Sequence, residues 1–317
     1  MEYREFLDNI RTGIQKKLGE NGKAQIIQAD KNNGKKLDGL IVKDNSKKVS
    51  PAIYLEDYYD QYKKGRQISD ITDAVYQIYC QYSDRIKICI EDLSDYGKIC
   101  KKVGFRIVNF EKNKELLAEI PYVRFLDMAI VFFVLVQCNG SSEPENASFL
   151  IHDEHLKMWN VDIGEIYRDA LYNTPELFPP KICCMTEILT EILSEEIKQG
   201  NDFQKEEYMA MRMELEELES GNHNKMYVLT NDRKVNGAAC LLYKNILKEF
   251  CEKTGKDFYI IPSSIHEVLL IPAENDIRIN DLKVLVKDVN KTELEEEEIL
   301  SDNIYYYDCE KDNIRIV

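Results

Sequence analysis

Three of the four histidines in this 317-residue sequence fall in two short polar segments. Chemistry would have to start there. The first segment lies within Asp257–Pro272, where two apolar, strand-like runs flank Pro262-Ser263-Ser264-Ile265-His266-Glu267. On an extended chain Ser264 and His266 share a face, about 7 Å apart at Cα. A hydroxyl nucleophile and an imidazole base are built from such a pair. That chemistry also needs a group to orient the base and donors for an oxyanion. Glu267 points to the opposite face if the strand continues. No Gly-x-Ser-x-Gly turn occurs, and Leu270 stands where a zinc peptidase would have its second histidine. Two functional readings remain: a hydrolase-like site of Ser264, His266 and Glu267, or a hairpin tip with Ser263 that touches a partner. A turn capped by its own hydroxyls explains the same residues without function.

The second segment is His152-Asp153-Glu154-His155, seven residues before the single tryptophan counted from His152, Trp159. On a strand, residues three apart face opposite ways, and a metal needs three or four ligands. No third ligand is evident, so the segment reads as a polar strand end in which His152, His155 and Trp159 are binding candidates, and no metal is expected. Nineteen tyrosines supply a further candidate surface. Tyr58 and Tyr62 belong to the cluster Tyr54–Tyr62, and tyrosine joins a large apolar ring to a polar tip that suits interfaces. Gly34 and Gly39 have the spacing of a phosphate loop, but Leu40 holds the lysine position. No cofactor is expected.

The elements that must carry these residues follow from composition and pattern. The length suits two domains or two fused halves. With 57 acidic against 42 basic residues, the net charge of −15 repels phosphate backbones and anionic lipid. Neither nucleic acid nor membrane is an expected partner. The apolar run Met128–Val136 is about half of the ~20 residues a membrane helix requires. Nine cysteines without Cys-x-x-Cys spacing read as small buried hydrophobes in a reducing, cytoplasmic setting. The N-terminus has no apolar leader run.

Residues 1–104 form an N-terminal α+β region. It begins with a helix through Phe6, Ile10, Ile14 and Leu18, then strands Lys23–Ala29, Leu37–Lys43 and Pro51–Leu55. Asn33-Gly34 predicts a hairpin between the first two strands, because both residues tolerate positive φ. A helix opens near Ser69, and another is expected over Ile86–Val103. Residues 105–186 form a central α+β region with one or two strands in Tyr122–Cys138, a strand Ala147–His152 and a helix capped by Asn160 and ended at Thr174-Pro175. Residues 187–224 read as a charged helical connector. Residues 225–317 give the order βαββαββ, with one helix over Asn236–Thr254 and another capped by Asn280. The fold class is α+β, with mixed or antiparallel sheets and helices packed on one face.

Several phrases together resemble a bacterial family known only as domain of unknown function 5688. They are Lys31-Asn32-Asn33-Gly34 with Leu37-Asp38-Gly39-Leu40, Ser50-Pro51-Ala52-Ile53-Tyr54-Leu55, and Asn109-Phe110-Glu111-Lys112-Asn113-Lys114-Glu115-Leu116-Leu117. To these are added Pro121-Tyr122-Val123-Arg124-Phe125-Leu126-Asp127, Asn236-Gly237-Ala238-Ala239-Cys240, and Pro262 through Val268. Leu156-Lys157-Met158-Trp159 followed by Ala170-Leu171-Tyr172-Asn173 is more distantly similar to the related family numbered 1444. The resemblance implies a bacterial protein and supplies no activity, cofactor or site. The reading favoured by the residues is therefore a noncatalytic module that binds a protein or peptide. The alternative is a small-molecule enzyme at the 262–267 hairpin; oligomeric state is not written in the sequence.

Overall fold

The computed structural model describes residues 1–43, 52–85, 93–137, 146–198, 225–262, 264–273 and 277–317. It confirms an α+β architecture with three antiparallel sheets. The chain divides into two compact units. The first comprises Met1–Val103, Lys112–Pro121 and Phe132–Asp169; the second comprises Gly104–Glu111, Tyr122–Val131 and Ala170–Val317.

The first unit opens with α1 (Tyr3–Leu18), whose Phe6, Ile10, Ile14 and Leu18 are all buried. Their four-residue spacing places them on one stripe. Gly19, at φ 59°, ends the helix. Strands β1 (Lys23–Asp30) and β2 (Lys36–Lys43) then pair antiparallel from Asp30↔Lys36. Asn33 and Gly34 both take positive φ in the connection, as the hairpin expectation requires. The loop is longer than a two-residue turn because Asn33 also docks elsewhere. Its N–H donates to Asn113 Oδ1 and its own Oδ1 accepts from Asn113 Nδ2, each at 2.9 Å. Short β3 (Ile53–Tyr54) pairs with β2, and α2 (Glu56–Lys63) and α3 (Ile68–Arg85) follow. Ile71, Val75 and Tyr79 of α3 share one apolar core with α1 and β2. Of the helix expected over 86–103, residues 86–92 lie outside the described residues; beyond Leu93 the chain forms the short α4 (Tyr96–Ile99) and one 3-10 turn before a strand.

The second sheet has the order β4–β6–β5, with β7 also beside β6. Its strands are β4 (Val103–Asn109), β5 (Tyr122–Phe125), β6 (Met128–Gln137) and β7 (Asn146–Leu150). Short α5 (Lys114–Leu117) precedes β5. Leu126, at φ 55°, turns the chain between β5 and β6, so the long apolar stretch is two strands. After β7 come α6 (Asp153–Trp159) and α7 (Ile163–Leu177). Asn160 does not cap α7; it closes α6 in the left-handed region, and Asp162 caps α7 by accepting from the Glu165 N–H at 2.8 Å. Nor does α7 stop at Thr174, for Pro175 lies inside its last turns, where a missing N–H forfeits a single bond.

The second unit contains the six-stranded sheet β13–β12–β10–β11–β9–β8. Its strands are β8 (Pro180–Cys184), β9 (Tyr227–Asn231), β10 (Phe258–Ile261), β11 (Val268–Pro272), β12 (Tyr305–Asp308) and β13 (Asn313–Ile316). The helices here are α8 (Met185–Lys198), α9 (Ile246–Thr254) and α10 (Ile279–Thr292). The expected helix over 236–254 breaks in two. A 3-10 segment, Gly237–Leu242, precedes α9, and Asn236 and Asn245 take left-handed conformations at the breaks. Phe258 is buried between Phe250, edge-on at 5.0 Å, and Tyr307, stacked at 4.9 Å. A disulfide joins Cys251 of α9 to Cys309, across 58 residues of chain. The expectation of unpaired cysteines fails at this pair, and cysteine usage then argues for no compartment. Among the described residues no helix is long and apolar enough to cross a membrane.

Candidate functional site

The hairpin between β10 and β11 does not assemble a nucleophile and its base. Ser264 is 6% exposed, and its Oγ accepts the backbone N–H of His266 at 3.0 Å. The hydroxyl is thus a turn cap. The His266 ring looks elsewhere: Nδ1 accepts from the Asn236 N–H at 3.3 Å, and Nε2 lies 3.7 Å from Glu298 Oε1. Because Nδ1 accepts, the neutral ring carries its proton on Nε2. The His266 carbonyl accepts from Thr230 Oγ1 at 2.8 Å, and Ile265 bonds Ala238 and Glu298 through its backbone. Glu267 contributes its carbonyl to the Ser264 N–H. Ser263 lies outside the described residues. Two of these bonds, from the Asn236 and Ala238 N–H groups, hold the turn to the 236–240 segment, and the others close the turn itself or tie it to Thr230 and Glu298.

His152 and His155 are not a strand end. His152 is the N-cap of α6, and its N–H donates to His155 Nδ1 at 2.9 Å, while the His155 N–H donates back to the His152 carbonyl at 2.9 Å. This is a helix-capping exchange of the kind usually made by glutamate or glutamine at that position. The His155 ring stacks on Trp159 at 5.2 Å, and Trp159 Nε1 donates to the Leu93 carbonyl at 2.7 Å. Burial first, and the neighbouring His152 second, lower the His155 pKa. These two histidines belong to the first unit and His266 to the second.

Tyr58 and Tyr62 of α2 are half-buried and pack against the core of the first unit. Tyr62 lies 5.7 Å from the Phe6 ring, and Tyr59 lies 5.2 Å from it. They are flank packing for α1 more than a free face.

Two features of the second unit escaped sequence reasoning. Asp127, at the β5–β6 turn, gathers Ser301 Oγ (2.6 Å), Asn303 Nδ2 (2.9 Å) and Tyr305 OH (2.6 Å) on one carboxylate. Burial, then the adjacent Asp127 charge, pushes the Tyr305 phenol far up, so it stays a donor. The donors arrive from more than 170 residues away, beyond any local motif. Two residues from Asp127, Phe125 helps line a partly open hollow of about 290 Å³. Leu241, Leu242, Leu247 and Ile314 supply its other aliphatic walls, with Asn245, Lys248, Asp312 and Asn313 among its polar groups. Tyr307 also lines it, and its hydroxyl donates to Asp312 Oδ1. Among the described residues no histidine, cysteine or serine lines the hollow. Cys240, the preceding neighbour of Leu241, is buried with its thiol directed to the Thr230 carbonyl, and burial pushes it up to about 12. At neutral pH it is a protonated thiol, not a nucleophile.

A family of unknown function, DUF5688, matches residues 3–309. The chain belongs to that family. The DUF5688 match spans both units and brings no activity with it. No curated protein and no solved structure matches the chain. Four of the phrases that carried the resemblance to DUF5688 meet in two pairs in the fold. Asn33 holds Asn113, and the 236–240 segment holds the 264–266 turn. Those phrases therefore mark joints of the scaffold.

Proposed function

We propose that this protein is a noncatalytic binding module that receives an apolar side chain of a peptide or protein partner in the hollow of the second unit. The hollow itself carries the reading: aliphatic walls from Phe125, the 241–247 segment and Ile314, with polar groups at Asn245, Lys248 and Asn313. At about 290 Å³ it lies just under the ~300–1,000 Å³ of pockets that enclose a drug-sized ligand. Its size suits one large side chain, with the neighbouring amides left for the backbone that carries it. Support also comes from the other candidates: the Ser264 hydroxyl, the His155 ring and the Cys240 thiol are each engaged with backbone groups.

Panning a random-peptide library against the full chain, followed by fluorescence anisotropy, tests this. Peptides selected on the wild type should bind at least tenfold more weakly to Leu242→Arg, a half-buried wall position, and more weakly to Lys248→Glu on an exposed one. Both variants should keep wild-type circular dichroism. Equal binding to wild type and both variants, or a library that yields no binder, would overturn the proposal.

A further inference from the structure

Among the described residues, Arg106 is a cation without an anion. It sits in the middle of β4, at the edge of its sheet. Its neighbours Phe105 and Ile107 are each 1% exposed, and Phe105 meets Tyr243 edge-on at 6.1 Å. Strand alternation therefore puts the Arg106 side chain on the opposite face, with Val108. The Nε atom is closed to solvent and has no hydrogen-bond partner. Among the described residues no carboxylate forms an ion pair with this guanidinium, although the chain carries 57 acidic residues. Burial alone lowers its pKa, with no opposite charge pulling the other way. Arg106 as a whole is half-buried, and a charge drawn partly out of water without a partner is costly, a cost that folds lower by supplying one. Among the described residues no carboxylate does so.

We infer that Arg106 is an oxyanion-binding site that takes a carboxylate or phosphate group of a small ligand. The planar guanidinium presents parallel N–H donors that match two oxygens of such a group. The site stands independently of the hollow and of the peptide reading.

Urea unfolding at fixed ionic strength tests it, with inorganic phosphate, malonate or chloride as the added anion, on wild type, Arg106→Met and Arg106→Lys. In the wild type, phosphate or malonate at ten times its dissociation constant should raise the folding constant about elevenfold over chloride. The more effective anion names the ligand's group. Arg106→Met should lose the effect and be at least as stable as wild type in chloride, because it removes an uncompensated charge. Arg106→Lys should retain only part of it. The inference is overturned if neither anion stabilises the wild type beyond chloride, or if Arg106→Met responds equally. It is also overturned if Arg106→Met is much less stable than wild type in chloride, which would reveal a structural role. Should Arg106→Met not fold, that outcome counts as such a loss, and the wild-type titration against Arg106→Lys stands as the second measurement.

Discussion

His155 links helix capping to pH. Its Nδ1 can accept the His152 N–H only while that nitrogen is unprotonated. The folded pKa is lowered, so the unfolded chain takes up the proton more readily. The stabilisation is complete above about pH 6.5, the unperturbed value, and is lost as pH falls through the folded pKa. His155→Gln can make the same exchange without titrating. Thermal unfolding between pH 7.5 and 5 should show the wild type losing about 1 kcal/mol more than the variant, a typical cap contribution. Parallel pH profiles would contradict this account of the ring. At this scale the sequence was a partial guide. It flagged His152, His155, Ser264 and His266 because of their types, but side-chain roles depend on which backbone groups the fold brings up. Ser264 and His266 are two residues apart, yet hydroxyl and ring face different partners.

Elements were legible where a pattern repeats and obscure where a joint intervenes. The four-residue spacing of α1 and the Asn33-Gly34 turn gave the first helix and hairpin their places. The 236–254 stretch shows the opposite case. Its helical periodicity is real, but Gly237 sits so close to Thr230 and His266 that a side chain there would overlap Thr230 Oγ1 and the His266 carbonyl. The segment is held as a 3-10 turn instead, and the helix starts anew at Ile246. Gly237→Ala should therefore destabilise the protein by about 3 kcal/mol, at the upper end of overpacking costs, as read from the urea midpoint. A loss below about 0.5 kcal/mol would show that the joint yields. Strand β8 was missed for another reason: Pro-Lys-Ile-Cys-Cys has no alternation to read, and its place comes from pairing with β9.

The whole molecule joins segments that the sequence treats as separate. Four successive regions are a fair reading of composition, yet the chain crosses between the two units several times, and residues 104–111 and 122–131 fold with the C-terminal part. The Asp127 cluster and the hollow exist only because of that interleaving, which no local pattern announces. The α+β class survived because it depends on elements, not on their routing. The central proposal, that this protein works by binding at the hollow while His152, His155, Ser264 and His266 serve the scaffold, is best tested by hydrogen exchange on the full chain with and without a panned peptide. Slowed exchange should concentrate in residues 241–248 and 307–314, with 58–62, 152–159 and 264–267 unchanged. Protection confined to the α2 tyrosines or to the 264–267 turn, with the hollow unaffected, would contradict the account.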